Sequence, residues 1–527
     1  MSDASSTKTP GVQARWYEGH SLAGVLALIP LFVISVTGTI TLFSDELRAW
    51  HLPELRRPAH EVASLDAALS DYLPQVPRDT NRLNLSYPSE GMPVLRADWR
   101  LTPGGDRIHT VIDPATGANL GPPSSELSHL LYEWHFLRPL PQGLLFAGFI
   151  SLFWLALTFS GVYLHRKKLL AQFRGRGWAK RKGRAMQSAL HTLAATLTLP
   201  FHLLYGVTGA FFGLLLIVTP VALLVVFGGD RDAMKALVEA RNPPEQELAE
   251  TQVDALPPLD PFVADAMARY PGTRPSFVSL VEPYDEAARL NIFFLDSEDQ
   301  RGNLSYDLHR SMEPVHDVAP GQKDALFAVL RPVLNLHFAH YGGYPVRFLY
   351  FALGLLLCVL TYAGARMWVL RHRKTSPRAA TACERLFDGF GVGLLPAIGV
   401  YLWANRLLPL GLESRLEIES GVFHAAWVLI AFGVLWRGTG VATRRALVAT
   451  SLGLLAAVPL LDGLVHDLWP WSAEAWHVPS VGVINGTIVC VVLFAAARSI
   501  RRHTARKLAR MQAQRAAQDT SSPAAAE

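Results

Sequence analysis

A histidine followed seventeen residues later by a Thr-Gly pair occurs twice in this 527-residue chain. His20 precedes Thr37-Gly38 and His191 precedes Thr208-Gly209, each at the head of an apolar stretch long enough to cross a bilayer. An imidazole within a helix bundle is costly unless it has a partner, and a metal or haem iron is one such partner. The pattern therefore predicts a duplicated membrane module with buried histidines.

The apolar stretches predict a mainly α-helical, polytopic membrane protein. Half of the residues are hydrophobic and only 18% are charged, and about 20 residues suffice to cross a hydrocarbon core of about 30 Å. Eight stretches meet this length or approach it: Ser21–Phe43, Leu140–Leu164, Leu193–Phe227, Val346–Leu370, Phe390–Leu410, Gly421–Trp436, Ala446–Leu461 and Val478–Ala497.

Basic residues cluster beside alternate ends of these stretches, at 166–184, 371–374, 437–445 and 498–510. The positive-inside bias then places both termini in the cytoplasm of a bacterium, with the protein in its inner membrane and the segments 47–137 and 228–336 in the periplasm. The first apolar run lacks a cleavage pattern and is expected to stay as an anchor. The net charge of +5 follows this topology, so no nucleic-acid partner is expected.

Each outer segment is predicted to form a small α+β domain, with one helix followed by three alternating strands. In the first segment these are helix Leu65–Leu73 and strands Arg82–Tyr87, Val94–Arg100 and Arg107–Ile112; in the second they are helix Pro261–Tyr270 and strands Ser276–Val281, Arg289–Leu295 and Asn303–Leu308. The three cysteines, Cys358, Cys383 and Cys490, fall in or beside spans, so neither outer domain is expected to hold a disulfide.

The predicted organisation is span, outer domain, span, repeated once and followed by four further spans. Its boundaries are 1–46 (N-terminus and first span), 47–137 (first outer domain), 138–168 (second span), 169–190 (basic cytoplasmic loop), 191–227 (third span), 228–336 (second outer domain), 337–374 (fourth span), 383–497 (four added spans) and 498–527 (basic tail).

A second pair of histidines precedes the return spans, His135 in Trp134-His135-Phe136 and His337 in Leu336-His337-Phe338. A straight helix from His135 to Arg166 would run about 46 Å, which predicts that His135 lies beyond the apolar slab. Pro139, Pro141 and Pro345 then predict a bend between each outer histidine and its span. The chain thus has an inner histidine layer and an outer one, each with one residue per repeat. Such pairs suit bis-imidazole coordination of a haem, which favours electron transfer over oxygen binding. The alternative is that each histidine hydrogen-bonds a neighbouring helix.

Other histidines rank behind these four. His202 lies eleven residues after His191, on nearly the same helix face, and His340 lies three residues after His337, so both are second-rank ligand candidates. His424 in the added spans has no repeat partner, and a packing role is expected for it.

Aromatic and basic residues surround the outer histidines and form a candidate platform for a substrate. They are Trp134, Arg138, Tyr341 and Tyr344, together with Tyr132. An interfacial aromatic belt with a snorkelling arginine explains the same residues equally well.

These motifs resemble the PepSY-associated transmembrane proteins, which include iron-regulated, inner-membrane ferric-siderophore reductases of Gram-negative bacteria. The likeness rests on Gly19-His20 through Phe43, Trp134-His135-Phe136 through Leu164, Leu190-His191 through Ala210, and Leu336-His337-Phe338 through Gly364. It covers about the first 375 residues.

The resemblance implies PepSY-like outer domains and two b-type haems, for which His20, His191, His135 and His337 are the matching ligands. It implies a haem-dependent ferric-chelate reductase that passes electrons to a ferric siderophore or other ferric chelate in the periplasm and releases ferrous iron for uptake. No nicotinamide or flavin motif is recognisable, so the expected electron donor is a quinol, a reduced flavin or another protein.

Two other classes of function stay open from the sequence. One is a non-enzymatic envelope sensor or regulator, and the other is a transporter of a metal or chelate along its broken helices. The four added spans depart from shorter members of the family, so they leave the substrate undecided.

Overall fold

The computed structural model describes residues 11–56, 61–89, 92–166, 182–233, 235, 249, 251–295, 301–321, 325–477 and 479–521. The mainly helical membrane fold is confirmed, but the strands expected in two separate α+β domains form one antiparallel sheet. Within the described residues, six helices are long and apolar enough to cross a bilayer, or seven when one bent pair counts as a single span. Most of the predicted basic loop 169–190 lies outside the described residues, as does Val478 at the start of the last predicted span.

The helices are numbered in chain order. They are α1 Val12–Thr41, α2 Ser44–His51, α3 Leu65–Leu69, α4 Leu127–His135, α5 Gly143–His165, α6 Gly183–Leu197, α7 Leu199–Gly213, α8 Leu215–Val226, α9 Asp260–Arg269, α10 Ala325–Phe338, α11 Gly343–His372, α12 Pro377–Leu386, α13 Leu394–Leu407, α14 Arg415–Arg437, α15 Val441–His466, α16 Ala473–His477 and α17 Pro479–Ser521. A π-helix, Phe387–Val392, joins α12 to α13.

The repeated spans form the central bundle. Helix α1 packs against α5 and α11, α5 packs against α7, and α6 packs against α11. Glycines permit the closest approach, because a Cβ on Gly148 of α5 would lie 2.7 Å from the backbone carbon of Gly213 in α7. Small residues of this kind let membrane helices pack backbone to backbone.

The third predicted span is not one straight helix. Helices α6 and α7 meet at a 71° bend, and α8 begins as a separate helix after Leu214. Pro200 in the first turn of α7 disfavours a continuous helix through the preceding residues. The bend follows from that proline, and the apolar pattern by itself does not predict it.

The outer histidines sit at the ends of short helices. Helix α4 ends at His135 and α10 ends one residue after His337. Leu137 and Ala339, each two residues further on, take positive φ angles of 54° and 55° and turn the chain before α5 and α11 begin. The bend that Pro139, Pro141 and Pro345 predict between histidine and span is therefore confirmed, and the turn brings the His135 ring against Gly38 of α1.

Both outer segments contribute to one eight-stranded antiparallel sheet in the order β4-β3-β2-β1-β5-β6-β7-β8. The strands are β1 Arg82–Ser86, β2 Leu95–Arg100, β3 Ile108–Ile112, β4 Asn119–Gly121, β5 Arg274–Val281, β6 Arg289–Leu295, β7 Arg301–Asp307 and β8 Pro314–Val318. Pairing of β1 with β5 joins the halves, with Leu83 opposite Leu280 and Leu85 opposite Val278. All four of these side chains are fully buried, so one core serves both halves.

Two aspartates clamp the helices of the halves together. Asp66 accepts hydrogen bonds from the backbone N–H groups of Leu259 and Asp260 at 2.7 and 3.0 Å. Asp260 in turn accepts from the Leu65 N–H at 2.6 Å and from the Ser64 hydroxyl at 2.5 Å. Each carboxylate thus caps the start of the other segment's helix, satisfying N–H groups that a helix leaves free.

The added C-terminal helices pack beside the central bundle and carry buried ion pairs. Arg406 contacts Asp462 at 3.2 Å, and both side chains are fully buried. Phe387 of the π-helix packs against Phe32 of α1, with ring centroids 5.2 Å apart. The Trp134 indole donates to His424 of α14 at 3.2 Å. The last two contacts tie the added helices to α1 and to α4, the helix that ends at His135.

Candidate functional site

The outer histidines face one another. The ring centroids of His135 and His337 are 6.2 Å apart. Nδ1 of His135 lies 3.0 Å from the Ile34 carbonyl oxygen of α1, and Nδ1 of His337 lies 2.7 Å from the Thr208 hydroxyl of α7. Each ring is therefore held by a span to which its own helix does not belong.

The inner histidines repeat this arrangement. The ring centroids of His20 and His191 are 6.4 Å apart. Nδ1 of His20 lies 2.7 Å from the Ser160 hydroxyl of α5, and Nδ1 of His191 lies 3.0 Å from the Leu360 carbonyl oxygen of α11. The structure thus brings together both pairs that the repeat suggested, each with one residue from each repeat.

The anchors determine the tautomer of all four rings. A carbonyl oxygen only accepts, so Nδ1 of His135 and of His191 carries the proton. The hydroxyls of Ser160 and Thr208 donate to carbonyl oxygens of Ala156 and Leu204, both at 2.7 Å, so they accept from Nδ1. This leaves a lone pair on every Nε2, to which no residue in the described part of the chain is hydrogen-bonded.

This is the donor arrangement that a metal-binding imidazole adopts. Such a histidine usually donates its other ring N–H to a carbonyl or hydroxyl, which fixes the ring and its tautomer. An imidazole nitrogen lies about 2 Å from a bound metal and about 1 Å from its own ring centre, so two imidazoles sharing one metal have centroids about 6 Å apart. The observed 6.2 and 6.4 Å fit a six-coordinate iron with a planar ligand between the rings.

Glycines let two of the rings lie close against neighbouring helices. A Cβ on Gly38 would lie 2.5 Å from Cε1 of His135, and one on Gly364 would lie 3.2 Å from Cε1 of His191. Beside His20, a groove of about 420 Å³ opens between α1 and α5. The paired imidazoles, with each Nε2 unbonded, are the residues that could hold a haem through its iron.

The outer rings are shielded from water, since His337 is buried and His135 is half-buried. Their anchored Nδ1–H groups leave each Nε2 unprotonated. A metal ligand must be unprotonated at its donor nitrogen. Among the described residues no group of three or more His, Cys, Asp or Glu side chains is placed to hold a metal.

The two pairs lie at different depths. Helix α1 carries His20 and also the Ile34 carbonyl that holds His135, fourteen residues further on. At the α-helical rise this separation is about 21 Å along the axis. The pairs therefore lie within one hydrocarbon thickness of about 30 Å, and the outer pair is at the level of α1 rather than beyond the span.

The other histidine candidates are placed differently. The Trp154 indole donates to Nδ1 of His202 at 2.8 Å, and Thr198 lies 2.9 Å from its Nε2, so both ring nitrogens are engaged. His340 is exposed and stacks on Phe338. His424 is bonded to the Ser420 carbonyl through Nδ1 and to Trp134 through Nε2, in keeping with the packing role expected for it.

The candidate platform residues are divided between surface and interior. Tyr341 and Tyr344 are exposed at about 40%, and Arg138 is exposed and pairs with Glu133 at 2.9 Å. Trp134 is only 8% exposed, because its ring packs against Trp427 with centroids 4.7 Å apart. Trp134 therefore contributes to the interface with the added helices instead of an outer surface.

Sequence reasoning missed the groups that orient the rings. Thr208 belongs to the repeated Thr-Gly pair, but the sequence indicates no ring-orienting role for it or for Ser160. The backbone carbonyls of Ile34 and Leu360 carry no side-chain signal. The pair Glu46 and Arg347 was also missed; its two contacts of 2.7 Å link α2 to α11.

Comparison with known proteins matches this architecture. A family model described as the PepSY-associated TM region matches residues 17–371. An uncharacterised protein of Pseudomonas aeruginosa is 27% identical over 379 residues, which cover 66% of this chain and 90% of that protein. The matched region contains both histidine pairs and the whole sheet. The chain therefore belongs to the PepSY-associated transmembrane family.

Proposed function

We propose that this chain is a di-haem b electron-transfer protein of the bacterial inner membrane that reduces a ferric siderophore or another ferric chelate in the periplasm. His20 and His191 would hold one haem, and His135 and His337 the other. The main support is that the four rings form two pairs, in which each ring is anchored through Nδ1 and keeps Nε2 unbonded. Iron between two imidazoles exchanges single electrons and leaves no position for oxygen.

The residues of the chain supply position and orientation. Each ring is bonded to a group on another helix, so its plane is fixed by the bundle rather than by its own rotamer. Each pair takes one histidine from each repeat, so the helices must assemble before a pair exists. With the pairs about 21 Å apart along α1, one is offered to a donor on the cytoplasmic side and the other to an acceptor outside. This spacing supports transfer across an insulating layer.

The substrate class follows from coordination chemistry. Hydroxamate or catecholate oxygens are hard donors that suit ferric iron better than ferrous iron, so one electron loosens the chelate and releases ferrous iron. Exposed Tyr341, Tyr344 and Arg138 beside the outer pair offer hydrogen-bonding and apolar contacts to such a ligand. The donor is proposed to be a quinol, a reduced flavin or another protein, because no nucleotide motif accompanies the site.

The test is an optical spectrum of the purified protein, oxidised and after dithionite, with haem quantified per chain. We expect two b-type haems and a sharp reduced Soret band. His135→Ala and His337→Ala should each lose the outer haem and abolish reduction of a ferric chelate, and His20→Ala and His191→Ala should each lose the inner one. His109→Ala is the control, because His109 is exposed in strand β3 and belongs to neither pair.

Two results would contradict the proposal. A colourless protein from haem-replete cells that binds an envelope protein would favour a sensor. Movement of a chelate into vesicles without a reductant would favour a transporter. Full haem content in all four alanine variants would overturn the ligand assignment itself.

A further inference from the structure

A groove lies at the membrane face opposite the sheet, between α12 and the end of α14. Its volume is about 620 Å³. Arg378, Thr381 and Arg385 provide its polar lining, and the apolar part comes from Ala382, Leu386 and Leu435. The groove therefore combines two guanidinium groups and a hydroxyl with an apolar wall.

The polar residues share one face of α12. They are spaced three and four residues apart, which places them in a row along a helix. Arg378 is exposed and forms no ion pair with a residue that the structure describes. Arg385 donates through Nη1 to the Leu435 carbonyl at 3.2 Å, and its buried Nε has no acceptor among the described residues. Both arginines therefore have donors to spare.

Neighbouring carboxylates do not neutralise the groove. Glu384, the residue before Arg385, is paired with Arg373 at 2.8 Å, with Arg444 at 2.9 Å and more closely with Arg366. Asp388, one turn further on, is bonded to Arg444 at 2.8 Å. Because these acids are already engaged by other arginines, the charge of Arg378 and Arg385 is left for an anion.

Exposed apolar side chains form a track on α14, the helix that also supplies Leu435 of the groove. Leu429, Phe432 and Trp436 are exposed by 70, 60 and 89% and recur at three and four residues on one face of the helix. A tryptophan at the end of such a row is typical of the membrane interface. The arginines could therefore bind the charged group of an anion while the apolar residues of α14 contact its hydrocarbon chains.

We infer that this groove is a binding site for an anionic phospholipid, with the headgroup phosphate between Arg378 and Arg385 and the acyl chains along α14. Arginine forms paired, charge-assisted hydrogen bonds with phosphate oxygens, and acidic lipids are attracted to basic residues at the cytoplasmic surface. The inference is independent of haem, because no histidine of either pair lines the groove.

Native mass spectrometry of the full-length protein, titrated with phosphatidylglycerol or phosphatidylcholine, tests the site. Loss of one basic residue near the membrane surface lowers the affinity for an acidic lipid about fivefold. R378Q or R385Q should therefore weaken phosphatidylglycerol binding about fivefold, and the double variant about 25-fold. R445Q, which removes an exposed arginine of α15 outside the groove, should leave binding unchanged. Inorganic phosphate should not displace the lipid, because it has no apolar part for the track.

Equal binding of phosphatidylglycerol by the wild type and R378Q would overturn the inference, as would equal affinity for the two lipids. Displacement by inorganic phosphate would show a simple anion site instead. R378Q is decisive because its exposed side chain supports no described contact, whereas R385Q also removes a bond to the end of α14.

Discussion

Replacing Thr208 with valine isolates the group that orients the outer histidine. The Thr208 hydroxyl lies 2.7 Å from Nδ1 of His337 and donates to the Leu204 carbonyl at 2.7 Å. Valine has nearly the same shape but cannot accept a hydrogen bond. In Thr208→Val, the Nδ1–H of His337 therefore loses its partner in a site where both residues are less than 9% exposed.

The size of the effect follows from that burial. An unsatisfied buried donor costs about 1–3 kcal/mol, and loss of the partner that orients a metal-binding histidine typically costs about 10–100-fold in affinity. If the ring rotates or exchanges tautomers to recover a hydrogen bond, Nε2 no longer keeps the lone pair that would bind iron. We therefore expect outer-site haem to dissociate about 10–100-fold faster while the inner haem is retained.

The assay is transfer of haem to an excess of a haem-scavenging protein, followed at the Soret band in wild type and variants. Thr158→Val is the matched control, because Thr158 is equally buried and its hydroxyl bonds only to the Trp154 carbonyl of its own helix. Thr208→Ser keeps the acceptor and should behave like wild type. Equal haem loss from Thr208→Val and Thr158→Val would refute the assigned role of the hydroxyl.

Two further perturbations test the packing that supports the site. Asp260→Ala removes the cap shared between the outer segments and should lower the unfolding free energy by about 1–2 kcal/mol. Denaturant unfolding measures the change, and Asp254→Ala, at an exposed position, is the control. Equal stability of the two variants would contradict the capping role of Asp260. Gly38→Ala would place a Cβ 2.5 Å from the His135 ring, and overpacking of about 1–3 kcal/mol should lower outer haem occupancy. Gly433→Ala, with no atom within 4 Å, should leave the haem content unchanged, and retention of the outer haem by Gly38→Ala would show that the ring is not constrained there.

Local patterns were sufficient for most of the sheet. The six predicted strands match β1 to β3 and β5 to β7 to within two residues at each end, because alternation of side chains is a property of the strand itself. The edge strands β4 and β8 were missed. Asn119–Gly121 has only three residues, and Pro314–Val318 opens with a residue that suits an edge but weakens the strand pattern.

The course of the helices was predicted less completely. Hydropathy located the apolar segments, since burial in lipid depends on composition over about 20 residues. It did not show the bend between α6 and α7, which depends on Pro200. Pro139, Pro141 and Pro345 indicated a bend after each outer histidine, but not the positive φ angles of Leu137 and Ala339 that turn the chain there. Those local conformations set the depth of the outer pair.

The sequence by itself determined which histidines form equivalent positions, because a duplicated module repeats its residue spacing. Only the tertiary structure decided how each ring is held. The groups that bond to Nδ1 of His20, His135, His191 and His337 lie 140, 101, 169 and 129 residues away in the chain. No local periodicity encodes contacts at such separations; they exist only once the two repeats pack together and bring the anchoring helices beside the rings.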